Sequence, residues 1–537
     1  VKNLRAIAAA LVLFAAVAAI ALGQQTAKHF DGDAWWAHIK FLADDNLEGR
    51  ETGSEGLRKA ESYVVDQLTK AGLEPAGTRG PYQPVQFDSR QVVEKDSSAA
   101  LIRDNKIEPL VFGDDAFFNT RAELSPTEVK APLVFVGYGL QIPETKYDDL
   151  AGIDLFGAIV VYLAGSPADV PSALSAHYQT LGERWKPLRA AGVRGTIGIP
   201  NPASMDIPWS RISLNRTHPS MDLVGTEFNE TPGLTMSMTF NPAQAEKLFS
   251  SSGHTFAEIA ALGKDRKPLP HFPLNISLKA RAAVKTAAVE SANVIARLPG
   301  SDPALKSEYV VLSAHVDHVG VGEPINGDRI YNGAMDNGSG TAALMEIAAS
   351  FKAHPEKLRR SLLFVFVTAE EKGLLGSKYF AAHPTVPAKS IIADVNIDMF
   401  LPIVPIKVLK VQGLAESDLG DLATEAAKAY GIRVQPDPQP LRNAFIRSDQ
   451  YNFVRKGIPA VKLDLGFDPG SPDEQVFKDW LTNRYHAPSD DLSQPVNLDS
   501  AATYEEIIRQ LLITTANTEA KPQWHKDSFF RRYATAD

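Results

Sequence analysis

Hydrophobic and polar positions change their period three times along the chain. Lys2 and Arg5 precede an unbroken apolar run from Ala6 to Leu22, and Ala21-Leu22-Gly23 supplies small residues before Gln24. This is the layout of an export leader cleaved after residue 23. The run sits at the lower edge of what spans a bilayer, so an uncleaved anchor is the alternative. Either reading places the folded body outside the cytoplasm, in the periplasm or secreted. Beyond it, Trp35, Trp36, Ile39, Phe41 and Leu42, and then Leu57, Ala60, Tyr63, Val64 and Leu68, recur at helical spacing. They predict two amphipathic helices joined by the glycine-punctuated loop 47–54.

From about Gln91 the period shortens to that of strands. Leu133–Val136, Ala158–Leu163 and Thr196–Ile199 read as strands, with a helix over Leu181–Ala191. After Ser291, strands and helices alternate: Tyr309–Ser313, then Gly340–Phe351, Leu362–Thr368, Gly373–Ala382 and Ile391–Ile397, with a closing helix over Ser500–Thr515. Alternation of this kind predicts an α/β fold, a three-layer and mostly parallel sheet with helices on both faces. The expected organisation is a leader (1–23), N-terminal helices of the main domain (24–90), a small β-rich α+β insert (125–275), the α/β core (286–520) and a polar tail (521–537).

Composition narrows the chemistry. The 537 residues are 44% hydrophobic and 22% charged, which fits a folded protein with ample core. Lys+Arg 55 against Asp+Glu 64 leaves a net charge of −9. The adjacent arginines are confined to Arg359-Arg360 and Arg531-Arg532, so no basic stripe exists to track nucleic acid. Cysteine is absent, so any metal must rest on His, Asp and Glu. No apolar stretch after the leader is long enough for a membrane span. Nothing in the pattern reports oligomeric state.

Acidic and imidazole side chains fall at successive strand ends. His315 and Asp317 follow the first strand of the core, Asp336 opens the next helix, Glu370 and Glu371 follow the second strand, and Asp398 follows the third. In open α/β sheets, sites form at these carboxyl ends. Buried carboxylates need a positive partner, and in the sequence only Lys372 stands beside them. A divalent cation resolves the conflict. Nitrogen and oxygen donors suit zinc, with manganese or cobalt as substitutes.

Five segments carry a resemblance: Ala314-His315-Val316-Asp317, Gly333–Gly340, Thr368-Ala369-Glu370-Glu371-Lys372-Gly373, Asn396-Ile397-Asp398-Met399 and Tyr485-His486. In order and type they resemble the co-catalytic di-zinc exopeptidases of metallopeptidase family twenty-eight. The insert, through Phe135–Gly139 and Tyr147-Asp148-Asp149, resembles a protease-associated domain. The resemblance implies two Zn2+ ions, one on His315, Asp336 and Asp398 and the other on Asp336, Glu371 and His486, with Asp336 shared. It implies Glu370 as general base for a metal-activated water, Asp317 as the acceptor of the His315 imidazole's other N–H, Tyr485 facing the oxyanion, and Arg447 lining the substrate pocket. The activity implied is hydrolysis of peptide bonds at chain termini, first as an aminopeptidase on peptides or protein ends. A glutamate-type carboxypeptidase or dipeptidase is the alternative, and a non-catalytic, receptor-like homologue the more distant one. Gln450 departs from the histidine common at its position, and His318 is expected to support the ligands.

Overall fold

The computed structural model describes residues 28–120, 122, 128–205, 207–439, 442 and 444–534. The leader read at 1–23 lies outside the described residues. No described helix is long and apolar enough to cross a membrane.

Two large sheets organise the chain. The first has ten strands, nine of them in the order Ser220–Leu223, Tyr82–Val92, Val284–Leu298, Ser361–Val367, Tyr309–His315, Ile391–Asn396, Ala460–Leu465, Val408–Gln412, Arg433–Gln435. The four central strands, Ser361–Val367 through Ala460–Leu465, are parallel. Each is buried along its whole length, as central parallel strands are, and only Ala460–Leu465 alternates apolar residues with charged ones, Lys462 and Asp464. Along Tyr309–His315, Val310, Leu312 and Ala314 pack with Trp35, Ile39 and Leu344, while Tyr309 and Val311 pack with Phe380 and Phe453 on the opposite face. Full burial of each large side chain is worth roughly 1.5–3 kcal/mol.

The sheet is mixed, which corrects the mostly parallel reading. Val284–Leu298 runs antiparallel to both Ser361–Val367 and Tyr82–Val92, and Val408–Gln412 runs antiparallel to Ala460–Leu465. The sequence reading missed Tyr82–Val92, whose sparse apolar positions, Val85 and Phe87 among them, resemble a loop. The two long antiparallel strands flank the insert in the chain: the backbone leaves the first sheet on one and returns on the other.

Between them lies an eight-stranded sheet spanning residues 98–281, wider than the 125–275 range read from the sequence. It has its own core, including Leu133, Phe135, Ile159 and Ile197. One strand of this segment, Ser220–Leu223, departs to pair with Tyr82–Val92 of the first sheet. The C-terminal segment is also corrected. It is not a free polar tail, because Trp524 and Phe530 are buried in the same cluster as Phe380 and Phe453.

Candidate metal centre

The carboxyl ends of the parallel strands converge on one cluster. His315 ends its strand, and Asp317 and His318 follow it directly. Glu370 and Glu371 follow Ser361–Val367, and Asp398 follows Ile391–Asn396. Asp336 lies in Ala334–Gly338, which opens the helix Ser339–Ala353, and His486 follows the helix Pro472–Asn483. Three non-glycine residues here take left-handed backbone, Ala369 (φ 55), Met399 (φ 57) and His486 (φ 50). Each costs on the order of 1–3 kcal/mol and persists because the surrounding packing over-determines it.

The two carboxylate oxygens of Asp336 face different imidazoles. Oδ1 lies 3.4 Å from His315 Nε2, and Oδ2 lies 3.2 Å from His486 Nε2. Asp398 Oδ1 stands 3.3 Å from His315 Nε2, and Glu371 Oε2 stands 3.1 Å from His486 Nε2. Tetrahedral donors about 2.0–2.2 Å from one zinc ion are themselves about 3.3 Å apart. The donor atoms therefore fit two cations sharing one carboxylate. His318 differs: its Nδ1 is 2.8 Å from Glu371 Oε1, hydrogen-bond length, and 3.9 Å from Asp336 Oδ2. It holds the outer oxygen of Glu371. By proximity alone His315, Glu370 and Asp398 form one candidate ligand group, and His318, Asp336 and Glu371 another.

Charge supports the same reading. Against the opposing effect of burial, His315 and His486 hold Asp336 well below the usual carboxylate range. Glu370 is pushed well above it, by burial first and then by the charges of Asp398, Glu371 and Asp449, while His315 opposes. One carboxyl is thus acceptor-like and its neighbour proton-binding, the division that acid–base chemistry uses.

Asp317 takes a different part from the one expected. His315 Nδ1 lies 3.1 Å from the Asp317 main-chain carbonyl and 3.9 Å from its carboxylate. The carboxylate instead accepts from the main-chain N–H of Glu370 at 3.1 Å and from Thr52 Oγ1 at 3.0 Å. It positions Glu370. The ring nitrogen faces a carbonyl oxygen, which still fixes the imidazole's orientation.

Several supporting residues were assigned no such role from the sequence. Arg50, from the opening loop, is buried, and its guanidinium donates to the carbonyls of Leu42, Val316, Asn332 and Gly333. Asp490 accepts from the main-chain N–H groups of Met335 and Asp336, both at 3.0 Å. Lys462, on the Ala460–Leu465 strand, places Nζ 3.3 Å from Asp398 Oδ2. This corrects the expectation that Lys372 is the neighbouring cation, since Lys372 Nζ pairs with Glu51 at 2.8 Å. Strand alternation at Val461-Lys462-Leu463 was the signal for Lys462, but it reads equally as a solvent-facing residue. Gln450 accepts from Asn396 Nδ2 and donates to the Phe445 carbonyl, so it braces the strand carrying Asp398.

Two cavities flank the cluster. One is lined by Asp398, Met399, Lys462 and Phe467 together with Arg447 and Tyr485, whose ring packs 4.0 Å from that of His486. The other, about 450 Å³, lies against Glu371 and His486 and is walled by Asn119, Tyr162 and Thr239 of the 98–281 segment.

Residues 293–512 match the model of Peptidase family M28. Aminopeptidase Y of Saccharomyces cerevisiae is 27% identical over 304 residues, covering 53% of this chain and 52% of the yeast protein. Leupeptin-inactivating enzyme 1 of Streptomyces exfoliatus is 35% identical over 179 residues, 33% of this chain and 36% of that protein. The chain thus spans about half the length of the yeast relative, or less of the other. The solved structure of an aminopeptidase from Aneurinibacillus sp. strain AM-1 shares the fold, with a TM-score of 0.56 at 18% identity over 93% of this chain and 95% of that one. Residues 293–512, the part of the chain similar to Peptidase family M28, hold every carboxylate and imidazole of the cluster.

Proposed function

We propose that the protein is an exported, zinc-dependent exopeptidase that releases residues from the amino ends of peptides. The observation that carries this reading is Asp336, whose two oxygens face His315 and His486 at 3.4 and 3.2 Å, with Asp398 and Glu371 completing the two donor sets. His315, Asp336 and Asp398 would hold one ion, and Asp336, Glu371 and His486 the other; when bound, such a pair polarises the scissile carbonyl and lowers the pKa of water. Glu370, held at its main-chain N–H by Asp317, takes the proton of the attacking water and returns it to the leaving amine. Tyr485 lines the cavity beside Asp398, where its phenol is available to the developing oxyanion.

The 98–281 segment is read as a protease-associated-like insert that narrows the approach to Glu371 and His486. Export rests on the basic and apolar pattern of residues 1–23. A carboxypeptidase is the second reading, favoured by the cationic lining around Asp398. The complete donor set weighs against a non-catalytic, receptor-like homologue.

Hydrolysis of free-amine and N-acetylated chromogenic peptides, with and without a chelator and with metal content measured on the same sample, tests the proposal. Chelator-sensitive cleavage of free-amine substrates alone, with about two zinc ions per chain, is the expected result. Cleavage of blocked peptides from the carboxyl end would move the assignment to carboxypeptidase. Absence of turnover with both ions bound would overturn it.

A further inference from the structure

One side chain of the insert reaches the edge of the metal centre. Within the 98–281 segment, the short helix Trp209–Ile212 is seated by Trp209, whose Nε1 donates to the Gly113 carbonyl at 2.7 Å and whose ring centroid lies 5.7 Å from that of Phe117. Arg211 crosses from this helix to the α/β core. Its Nη2 donates to the Thr482 carbonyl at 2.6 Å, and its Nη1 donates to the Tyr485 carbonyl at 2.9 Å and lies 3.4 Å from that of Leu481. Leu481 and Thr482 stand in the last turn of the helix Pro472–Asn483, where a cation suits the final carbonyls and the negative end of the helix dipole. By those two contacts alone Arg211 is a helix cap.

The Tyr485 carbonyl gives it a second effect. That oxygen belongs to the planar peptide unit joining Tyr485 to His486, so holding it fixes one side of the His486 φ torsion. His486 keeps φ at 50, in the left-handed region that a residue with a Cβ enters only at a steric cost. In this conformation its Nε2 stands 3.2 Å from Asp336 Oδ2 and 3.1 Å from Glu371 Oε2. Rotating φ to its ordinary range turns the Cα–Cβ bond, and the imidazole with it, relative to the held peptide plane. On its other side the segment is tied down by Asp490, which accepts from the main-chain N–H groups of Met335 and Asp336. His486 therefore lies between one anchor on the core and one on the insert.

We propose that Arg211 is a positioning residue for the metal centre: from the insert it holds the Tyr485–His486 peptide in the conformation that aims His486 at Asp336 and Glu371, so that the insert completes this donor set. The inference rests on the proposed function for its assignment of His486 as a metal ligand. The planar fork of the guanidinium is what spans the helix end and the Tyr485 carbonyl together. A lysine keeps a cation at the helix end without that fork.

The test uses the zinc-loaded full chain and its Arg211→Gln, Arg211→Lys and His486→Ala variants. Competition with a chromophoric chelator reads the affinity of each zinc, and the visible absorption of the cobalt-substituted chains reports the donor geometry. His486→Ala identifies the zinc that depends on the imidazole. Arg211→Gln is expected to weaken that same zinc by about 10–100-fold, the range for partners that orient a ligand, and to leave the other unchanged. Its hydrolysis of a leucyl chromogenic amide is lost in chelator-buffered low zinc and returns as free zinc is raised. Arg211→Lys shifts the same zinc in the same direction and covers the case in which Arg211→Gln fails to fold. A helix cap without bearing on the ligand would lower the unfolding midpoint and leave both zinc affinities and the cobalt spectrum as in the parent. That result overturns the inference while leaving the proposed function standing. If one zinc is loosened as expected but no peptide is hydrolysed, the inference holds and the proposed function fails. If His486→Ala loosens no zinc, the ligand assignment is wrong and the inference falls with it.

Discussion

The main-chain N–H of Glu370 donates to Asp317 Oδ1 at 3.1 Å, tying the proposed base to the strand end that carries His315. The Asp317 carboxylate thus acts on the base, while its main-chain carbonyl faces the imidazole. Glu370→Gln preserves the side chain's size and leaves that main-chain bond in place. It is expected to keep both metals and lower kcat by about 10²–10⁴-fold. Initial rates and metal analysis on one sample check this, and a near-normal rate would remove Glu370 from the mechanism.

The two oxygens of Asp336 face His315 and His486, so on the proposed two-ion reading its loss reaches both sites. Asp336→Asn is expected to lower bound zinc well below that of the parent after dialysis against a weak chelator, with activity falling in step. Plasma emission analysis reads the content directly. Full occupancy of both sites in the variant would show that Asp336 does not bridge them.

Arg50 joins four carbonyls that belong to three separate segments. Burial lowers its pKa to about 10, opposed by Asp490, Asp317 and Asp336, so it stays charged at neutral pH. Arg50→Met leaves those carbonyls and the nearby carboxylates without their cation and is expected to destabilise the protein by roughly 3–5 kcal/mol. Denaturant unfolding followed by tryptophan fluorescence measures it, and an unchanged midpoint would contradict the role.

Glu61, in the helix Glu55–Lys70, is buried and accepts from Ser291 Oγ at 3.2 Å. Burial raises its pKa from 4.5 to about 7. Below the unfolded value both states carry the proton, and this contribution to stability is fully present. As pH rises, the unfolded chain ionises first and the contribution is lost through about pH 7. Glu61→Gln removes this loss, so the variant's stability relative to the parent increases between about pH 5 and pH 8. Thermal melts at the two pH values read the difference, and a constant offset would exclude the titration.

How much was readable from the residues differs by element. His315, Asp336, Glu370, Glu371 and Asp398 could be grouped in advance because each follows or opens an element whose own pattern was strong, whereas His486 entered only through the family resemblance. Lys462 could not, because an alternating strand such as Val461–Leu465 has one polar face, and residues distant in the chain, Met399, Phe477 and Tyr485 among them, line the cavity with it. Arg50 stands in a loop with no periodicity, and its acceptors lie as far as 283 residues away. Trp524 and the Phe529-Phe530 pair lie in a stretch read as a polar tail, and only the tertiary structure packs Trp524 and Phe530 into a buried cluster with Phe380 and Phe453.

The sequence by itself determined the alternation of strands and helices, the absence of thiol chemistry and the residue types available to a metal, since these follow from local periodicity and composition. Strand direction, the enclosure of Lys462 beside Asp398, and the turning of the Asp317 carboxylate from His315 to Glu370 were decided only by tertiary structure. The reason is physical. An apolar run buries equally well in a parallel or an antiparallel ladder, and a charged group's partner is set by which distant strand the chain brings alongside it.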